Sequence, residues 1–369
     1  MDLSGLSAAK AQLSETTTVD KSKPVLTETW TPEYLRSYQH AVLDVNLEAW
    51  LPAVVDSTFA TWLAPLTLDD AAALVANYEA DHPEEAAAGS GSLPDDAAAA
   101  VAAVARVGDG DWQEALRARL EAAIAEGMAA LGASFVFVKT SSRSPKDAAA
   151  ADGAMAAAYT EALQAEPDAE TFNGKLNALL RAGLAVLRVD SPPQGATLLL
   201  TSERIYQDML MALKYPDRFH ENVVVRQWVD LDVGFEFRGF VARGVLTALS
   251  QYNHLSYFAE LAAAGPDIAD VIRTAFDSPA MAGALSAAGF DDYVIDFGLV
   301  ANPARDDGYD VWIIEINPFL ETTDPALMHW SRDAALLAGE LPFEYRYNTS
   351  APAGAKANVS AEWCAIMGV

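Results

Sequence analysis

The chain has a single cysteine, Cys364, so no disulfide can form within it, and one lone thiol suits the reducing cytosol. Cationic side chains are scarce as well: 24 Lys and Arg stand against 52 Asp and Glu, a formal net charge of −28. That balance argues against nonspecific attraction to nucleic acid or anionic lipid, both of which need Lys and Arg to neutralise phosphates. An acidic face could still meet a basic partner protein. No run reaches the roughly 18 apolar residues of a membrane span. Residues 1–23 lack the apolar core of a secretory signal, so residues 1–28 read as a disordered lead-in to a cytoplasmic protein. Also missing are a Walker-type loop, a dinucleotide-type glycine pattern and a Ser/His/Asp or Cys/His nucleophile motif. No second His or Cys sits at metal-ligand spacing from His254, and no repeat at solenoid spacing appears.

What is present is an ordinary globular composition, 51% hydrophobic and 21% charged over 369 residues. That length supports one large two-lobed domain or two small ones. The stretch that organises the rest runs from Tyr293 to Phe319. Tyr293 to Gly298 and Val311 to Phe319 are rich in β-branched and aromatic residues, and Asn302 to Gly308 between them is turn chemistry, so an antiparallel hairpin is expected. A turn centred near Arg305 puts Asp296 roughly opposite Glu315, with Asn317 on the same face as Glu315. Like charges directly opposite in a ladder are destabilising, so something should neutralise them. A hard divalent cation such as Mg²⁺, with Asn317 as a neutral oxygen ligand, is one answer; a solvated acidic edge is the other.

Elsewhere, Thr31 and Pro32 read as a cap and first residue of a helix running toward Ala41. Residues 79–110 mix acids with alanine and glycine and read as a mobile acidic insert carrying a short helix from Asp95 to Arg106. Trp112, Leu116, Leu120, Ile124 and Met128 recur at helical spacing and predict a helix over 111–131 that packs on a sheet. Ser134 to Lys139 predicts a strand, and Ser144-Pro145-Lys146-Asp147 the start of a helix. A strand ending in lysine, followed by a Ser/Arg loop and a helix start, is either phosphate-binding equipment or a solvated strand end. Leu184–Val189 and Thr197–Leu200 read as two strands joined by a loop at Asp190–Gly195, followed by a capped helix from Arg204 to Lys214. Asn222 to Asp230 reads as a buried strand, and Gly234 to Val241 as a strand turning at Arg243-Gly244 into Leu246 to Tyr252. Arg238, beside Glu236, is either half of an ion pair or a phosphate contact. A helix is expected over 324–337, a last strand at Phe343–Tyr347, and a flexible tail over 349–369 on which Trp363 could dock.

Several of these stretches occur together in a known order. Glu48-Ala49-Trp50-Leu51-Pro52 with Ser57-Thr58-Phe59, Phe137-Val138-Lys139 with Ser144 to Ala148, and Val225 to Val229 come first. Gly234 to Val241, Ser250-Gln251-Tyr252, Val294 to Phe297, and Ile314 to Phe319 with Thr323-Asp324 follow. The chain thereby resembles the cell division cycle protein 123 family over most of residues 45–348. The resemblance implies an α+β, ATP-grasp fold, with two lobes of largely antiparallel sheet across residues 29–348 holding ATP and Mg²⁺ between them. It implies that Lys139 and Arg238 contact phosphates, that Arg226, Gln227, Trp228 and Val229 form the hinge whose backbone pairs with adenine, and that Asp296, Glu315 and Asn317 hold the metal. It implies a role in assembling translation initiation factor two through its gamma subunit. A monomer is expected, and the acidic charge argues against nucleic-acid or membrane partners. The fold class also makes ligase chemistry through an acyl phosphate natural. Glu315 stands where the family more often has Asp.

Overall fold

The computed structural model describes residues 31–105, 111–151 and 153–369. The lead-in over 1–28 and residues 106–110 of the insert lie outside them. The described chain is mixed α and β, built on two sheets. The first has three strands, β1 (Thr61–Leu66), β2 (Val136–Thr140) and β3 (Glu221–Gln227), in the order β1-β3-β2, all antiparallel. The second has five: β4 (Glu236–Ala242), β5 (Val245–Gln251), β6 (Tyr293–Ala301), β7 (Tyr309–Pro318) and β8 (Glu344–Arg346), ordered β7-β6-β4-β5-β8. Only β8, which joins β5 in parallel, departs from antiparallel pairing.

Side-chain alternation gives each sheet two distinct faces. On the small sheet, Val136, Val138, Val223 and Val225 point into a core formed with Leu116, Leu120 and Ile124 of the helix Asp111–Leu131 and with the helices Leu68–Asp81, Pro192–Thr201 and Glu203–Lys214. Gly127 lets that helix approach closely, since a Cβ there would stand 2.7 Å from Val225 Cβ and 2.9 Å from Trp62 Cε3. The opposite face carries Phe137, Lys139, Val224 and Arg226 and turns toward the large sheet. On the large sheet, Phe237, Val241, Ile295 and Phe297 pack on helices between residues 259 and 287, while Phe240, Ala248 and Val294 pack on Met328, Trp330, Leu336 and Leu337.

The long hairpin forms as its residue types require, and Asp296 pairs with Glu315. A one-residue bulge makes this so. From Ala301↔Tyr309 to Phe297↔Ile313 the register would bring Ile314 opposite Asp296; the shift between Asp296 and Phe297 brings Glu315 there instead. The β4–β5 hairpin closes through Arg243 and Gly244, both with positive φ (52° and 72°), as a two-residue turn of this kind needs. Thr31 caps the first described helix, Pro32–Asp44, its hydroxyl accepting from the Tyr34 N–H at 3.2 Å.

Four expectations differ. The strands at Leu184–Val189 and Thr197–Leu200 are absent: Leu184 ends the helix Phe172–Ala185, and residues 192–201 form a helix opened by Ser191 and two prolines. Leu198, Leu199 and Leu200 are all buried, and this unbroken apolar run reads as a strand although Gln194, Thr197 and Thr201 lie exposed at helical spacing. The helix expected over 324–337 is reduced to Ala334–Leu337. Asp324 accepts from the Ala326 N–H at 2.9 Å and Asp333 from the His329 N–H at 2.8 Å, and such local side-chain bonds compete with the helical ladder. The described part of the insert packs more than its composition implied, with Leu93 and Val101 in the core and Glu79 accepting from Ser90 N, Ser90 Oγ and Tyr206 Oη. Residues 349–369 contain a helix, Ala361–Met367, and bury Val359 and Met367 against the helices Gly153–Ala165 and Phe172–Ala185.

Candidate functional site

The two sheets meet along β7. Thr58, just before β1, bridges to Ile313 and donates its hydroxyl to the Ile313 carbonyl at 2.6 Å. Arg226 of β3 donates to the Ile314 carbonyl at 2.7 Å and to Thr58 Oγ1 at 2.6 Å. Lys139, at the end of β2, reaches Glu315 of β7 at 2.6 Å. Thr58, Arg226 and Lys139 thus each reach β7 at the edge of the large sheet.

Across the large sheet, the register sets Arg238 of β4 against Asp296 of β6. The guanidinium forks both carboxylate oxygens at 2.8 Å, with side chains only 7% and 5% exposed. Its remaining arm donates to the Asp324 carbonyl at 2.6 Å. Asn317 Nδ2 donates to Asp296 Oδ2 at 3.1 Å. Of the residues singled out from the sequence, Lys139, Arg238, Asp296, Glu315 and Asn317 therefore converge. Arg238 pairs with Asp296 and not with Glu236, because the hydrogen-bonded neighbour across the ladder lies nearer than the same-face neighbour along the strand.

The acids are thus neutralised by two different cations. Burial disfavours a charged Glu315, but Lys139, followed by Lys146 and Arg238, outweighs it and holds the carboxyl down at about 2. Burial pushes Asp296 up while Arg238 pulls it down; Arg238 itself is held above its ordinary value by Asp296 against its own burial. Burial draws Arg226 down to about 10, partly countered by Glu315.

The hinge stretch is less concentrated. Arg226 is buried and committed to β7, whereas Gln227 is exposed and Trp228 and Val229 are half-buried. The Gln227 N–H donates to Ala60 O at 2.8 Å, the Trp228 N–H to Phe135 O at 3.1 Å and the Trp228 ring N–H to Asp230 at 2.8 Å. Three further residues join the site. Tyr252 lies under both the Arg238 guanidinium, 4.8 Å from the ring centre, and Lys146 Nζ, 5.6 Å away. Glu236 is pushed up to about 7 by burial, with Lys146 pulling the other way. In the sequence Lys146 stands in the Ser144-Pro145-Lys146-Asp147 helix start, Glu236 beside Arg238 and Tyr252 in the Ser250-Gln251-Tyr252 motif, and none of the three is singled out as a site residue. The helix itself starts at Lys146, and Asp147 serves another helix, accepting from Ser202 Oγ at 2.7 Å and the Arg204 N–H at 3.2 Å. Arg143 of the loop forks Asp208 at 3.0 and 2.7 Å.

As donors for a hard divalent cation, Asp296, Glu315 and Asn317 fit in kind, since all three offer oxygen and the two carboxylates stand one ladder step apart. Among the described residues, no three His, Cys, Asp or Glu side chains gather as a metal cluster, so the amide oxygen and the ligand's own oxygens would complete the set.

Comparison with known proteins bears on this geometry. Residues 183–349, which carry β3 to β8, match the sequence model of the D123 family. Over that stretch the chain is similar to this family. Its curated relatives include a translation initiation factor eIF2 assembly protein of Emericella nidulans, 30% identical over 117 residues, 31% of this chain and 26% of the relative. A protein of that name from Xenopus laevis is 29% identical over 108 residues, 29% of each chain, and cell division cycle protein 123 of Eremothecium gossypii is 30% identical over 109 residues, 30% of this chain and 28% of that one. The matched stretch thus spans between 26% and 29% of these relatives' own length. The fold is similar to that of Cdc123 from Schizosaccharomyces pombe, with a TM-score of 0.51 at 18% identity over 83% of this chain and 96% of that one. No helix among the described residues is long and apolar enough to cross a membrane.

Proposed function

We propose that the chain is a cytosolic ATP- and Mg²⁺-binding factor of ATP-grasp type that assists assembly of translation initiation factor eIF2 through its gamma subunit. The observation that carries the nucleotide part is the convergence of Lys139, Arg238 and Lys146 with Asp296, Glu315 and Asn317 where the small sheet meets the large one. Cations above a pair of acids suit a triphosphate and its metal: phosphate oxygens take the cations, and the carboxylates take Mg²⁺. Lys139 and Arg238 would bind phosphate, and Asp296, Glu315 and the Asn317 amide oxygen would hold the metal. With the Gln227 and Trp228 N–H groups engaged, adenine pairing in the hinge would fall to Val229 and to backbone carbonyls. The assembly part is supported by the names of the relatives and by the shared fold.

Calorimetric titration of ATP, with and without Mg²⁺, into the protein and into Glu315→Ala tests the first part. Mg²⁺-dependent binding by the parent and its loss in a folded variant are expected. Absence of binding by the parent protein would sink the nucleotide reading. Capture of recombinant eIF2 gamma subunit tests the second part, and failure to retain it in the presence of ATP and Mg²⁺ would reject that partner.

A further inference from the structure

A second group of acids lies away from the hairpin, where the end of the first described helix, the loop after β2 and the start of β3 come together. Asn46 precedes the short helix Leu47–Trp50 yet makes no side-chain capping bond to it. Its amide is 3% exposed and turns inward: Nδ2 is 3.1 Å from the His220 carbonyl and 3.4 Å from each of Glu48 Oε1 and Glu221 Oε1. Glu221, 2% exposed, also accepts from the Ser142 N–H at Oε2 at 3.4 Å. Three oxygens of this group, Asn46 Oδ1, Glu48 Oε2 and Ser142 Oγ, are buried without a hydrogen-bond partner.

The charges are also unmatched. The Arg143 guanidinium is committed to Asp208. Among the described residues, no Lys or Arg lies within ion-pair distance of Glu48 or Glu221; Glu48 has only the largely exposed ring of His220, at 3.1 Å. Buried carboxylates are paired, protonated or bound to metal. A proton on Glu221 would still leave Glu48 charged with only an exposed imidazole beside it, and a water supplies donors but no charge. A cation answers both deficits.

We propose that Asn46, Glu48, Ser142 and Glu221 form a site for a hard metal cation, Ca²⁺ or Mg²⁺, distinct from the hairpin acids. Every donor is an oxygen: two carboxylates, an amide and a hydroxyl, the set that hard cations take. Occupancy ties residues 46–48 to the start of β3 and to the loop that begins two residues beyond Lys139. The site stands independently of any reading of the hairpin.

The test is thermal unfolding of the full chain, stripped with chelator and free of nucleotide, against added Ca²⁺ and Mg²⁺. The midpoint should rise by several degrees with at least one of the cations in the parent protein and in Glu315→Ala, and the rise should vanish in Glu221→Gln. Glu48→Gln, at a partly exposed position, gives the same readout if Glu221→Gln does not fold. No response of the parent to either cation overturns the proposal. So does a response kept in the glutamine variants, or one lost in Glu315→Ala, which would move the cation to the hairpin.

Discussion

Asp296 and Glu315 face each other across the long hairpin, yet they answer to different cations: Arg238 within the same sheet and Lys139 from the other sheet. The first pair is a matter of strand register. The second exists only because the small sheet leans on β7, so one ladder step holds both an internal brace and a contact between sheets.

The Arg238–Asp296 fork is buried, and removing either partner strands a charge. Arg238→Met and Asp296→Asn should each lower the free energy of unfolding by about 3–5 kcal/mol in urea titrations, with the double variant losing less than the sum. Costs below about 1 kcal/mol would mean the pair is open to water.

If Lys139 contacts phosphate, Lys139→Met removes a charged hydrogen bond of about 1.5–3 kcal/mol, or roughly 10- to 100-fold in ATP affinity. Calorimetry reads this directly. Unchanged affinity would leave Lys139 only its bond to Glu315.

Two glycines should respond with opposite signs. Gly127→Ala drives a Cβ into Val225 and Trp62 and should cost about 1–3 kcal/mol. Gly283, in the helix Pro279–Ala287, has open space around its Cβ position, so Gly283→Ala should stabilise by up to about 1 kcal/mol. Chemical denaturation of the two variants distinguishes close packing from mere helix propensity.

Asp333 is forked by Arg346 at 2.7 and 3.0 Å, and this bond holds its carboxyl below the ordinary 3.8. A depressed acid stabilises the fold above its unfolded pKa and loses that contribution as pH falls through the lower folded value. Urea midpoints should therefore drop below about pH 3.8 more steeply in the parent than in Arg346→Met. Equal acid slopes would show the pair to be inconsequential.

Local signals were legible where a residue's role depends on near neighbours. Thr31, Ser202 and Arg243-Gly244 performed as cap, cap and turn, and the 111–131 helix was marked by its stripe of large apolar residues. Residues 192–201 were misread because three consecutive buried leucines imitate a buried strand and mask the exposed stripe of Gln194, Thr197 and Thr201. The 324–333 stretch was misread because Asp324 and Asp333 spend their carboxylates on nearby backbone. Asn46 and Glu48 carried no signal shared with Glu221, which lies 175 and 173 residues further along the chain.

By itself, the sequence determined the hairpin, its turn and the near-opposition of Asp296 and Glu315, since alternation and turn chemistry act over a few residues. Tertiary structure decided which charges meet. Glu315 sits opposite Asp296 only through a bulge, Arg238 turns to Asp296 because β4 lies beside β6, and Lys139 meets Glu315 across 176 residues. Such pairings depend on how sheets approach one another, and no spacing along the chain encodes that distance.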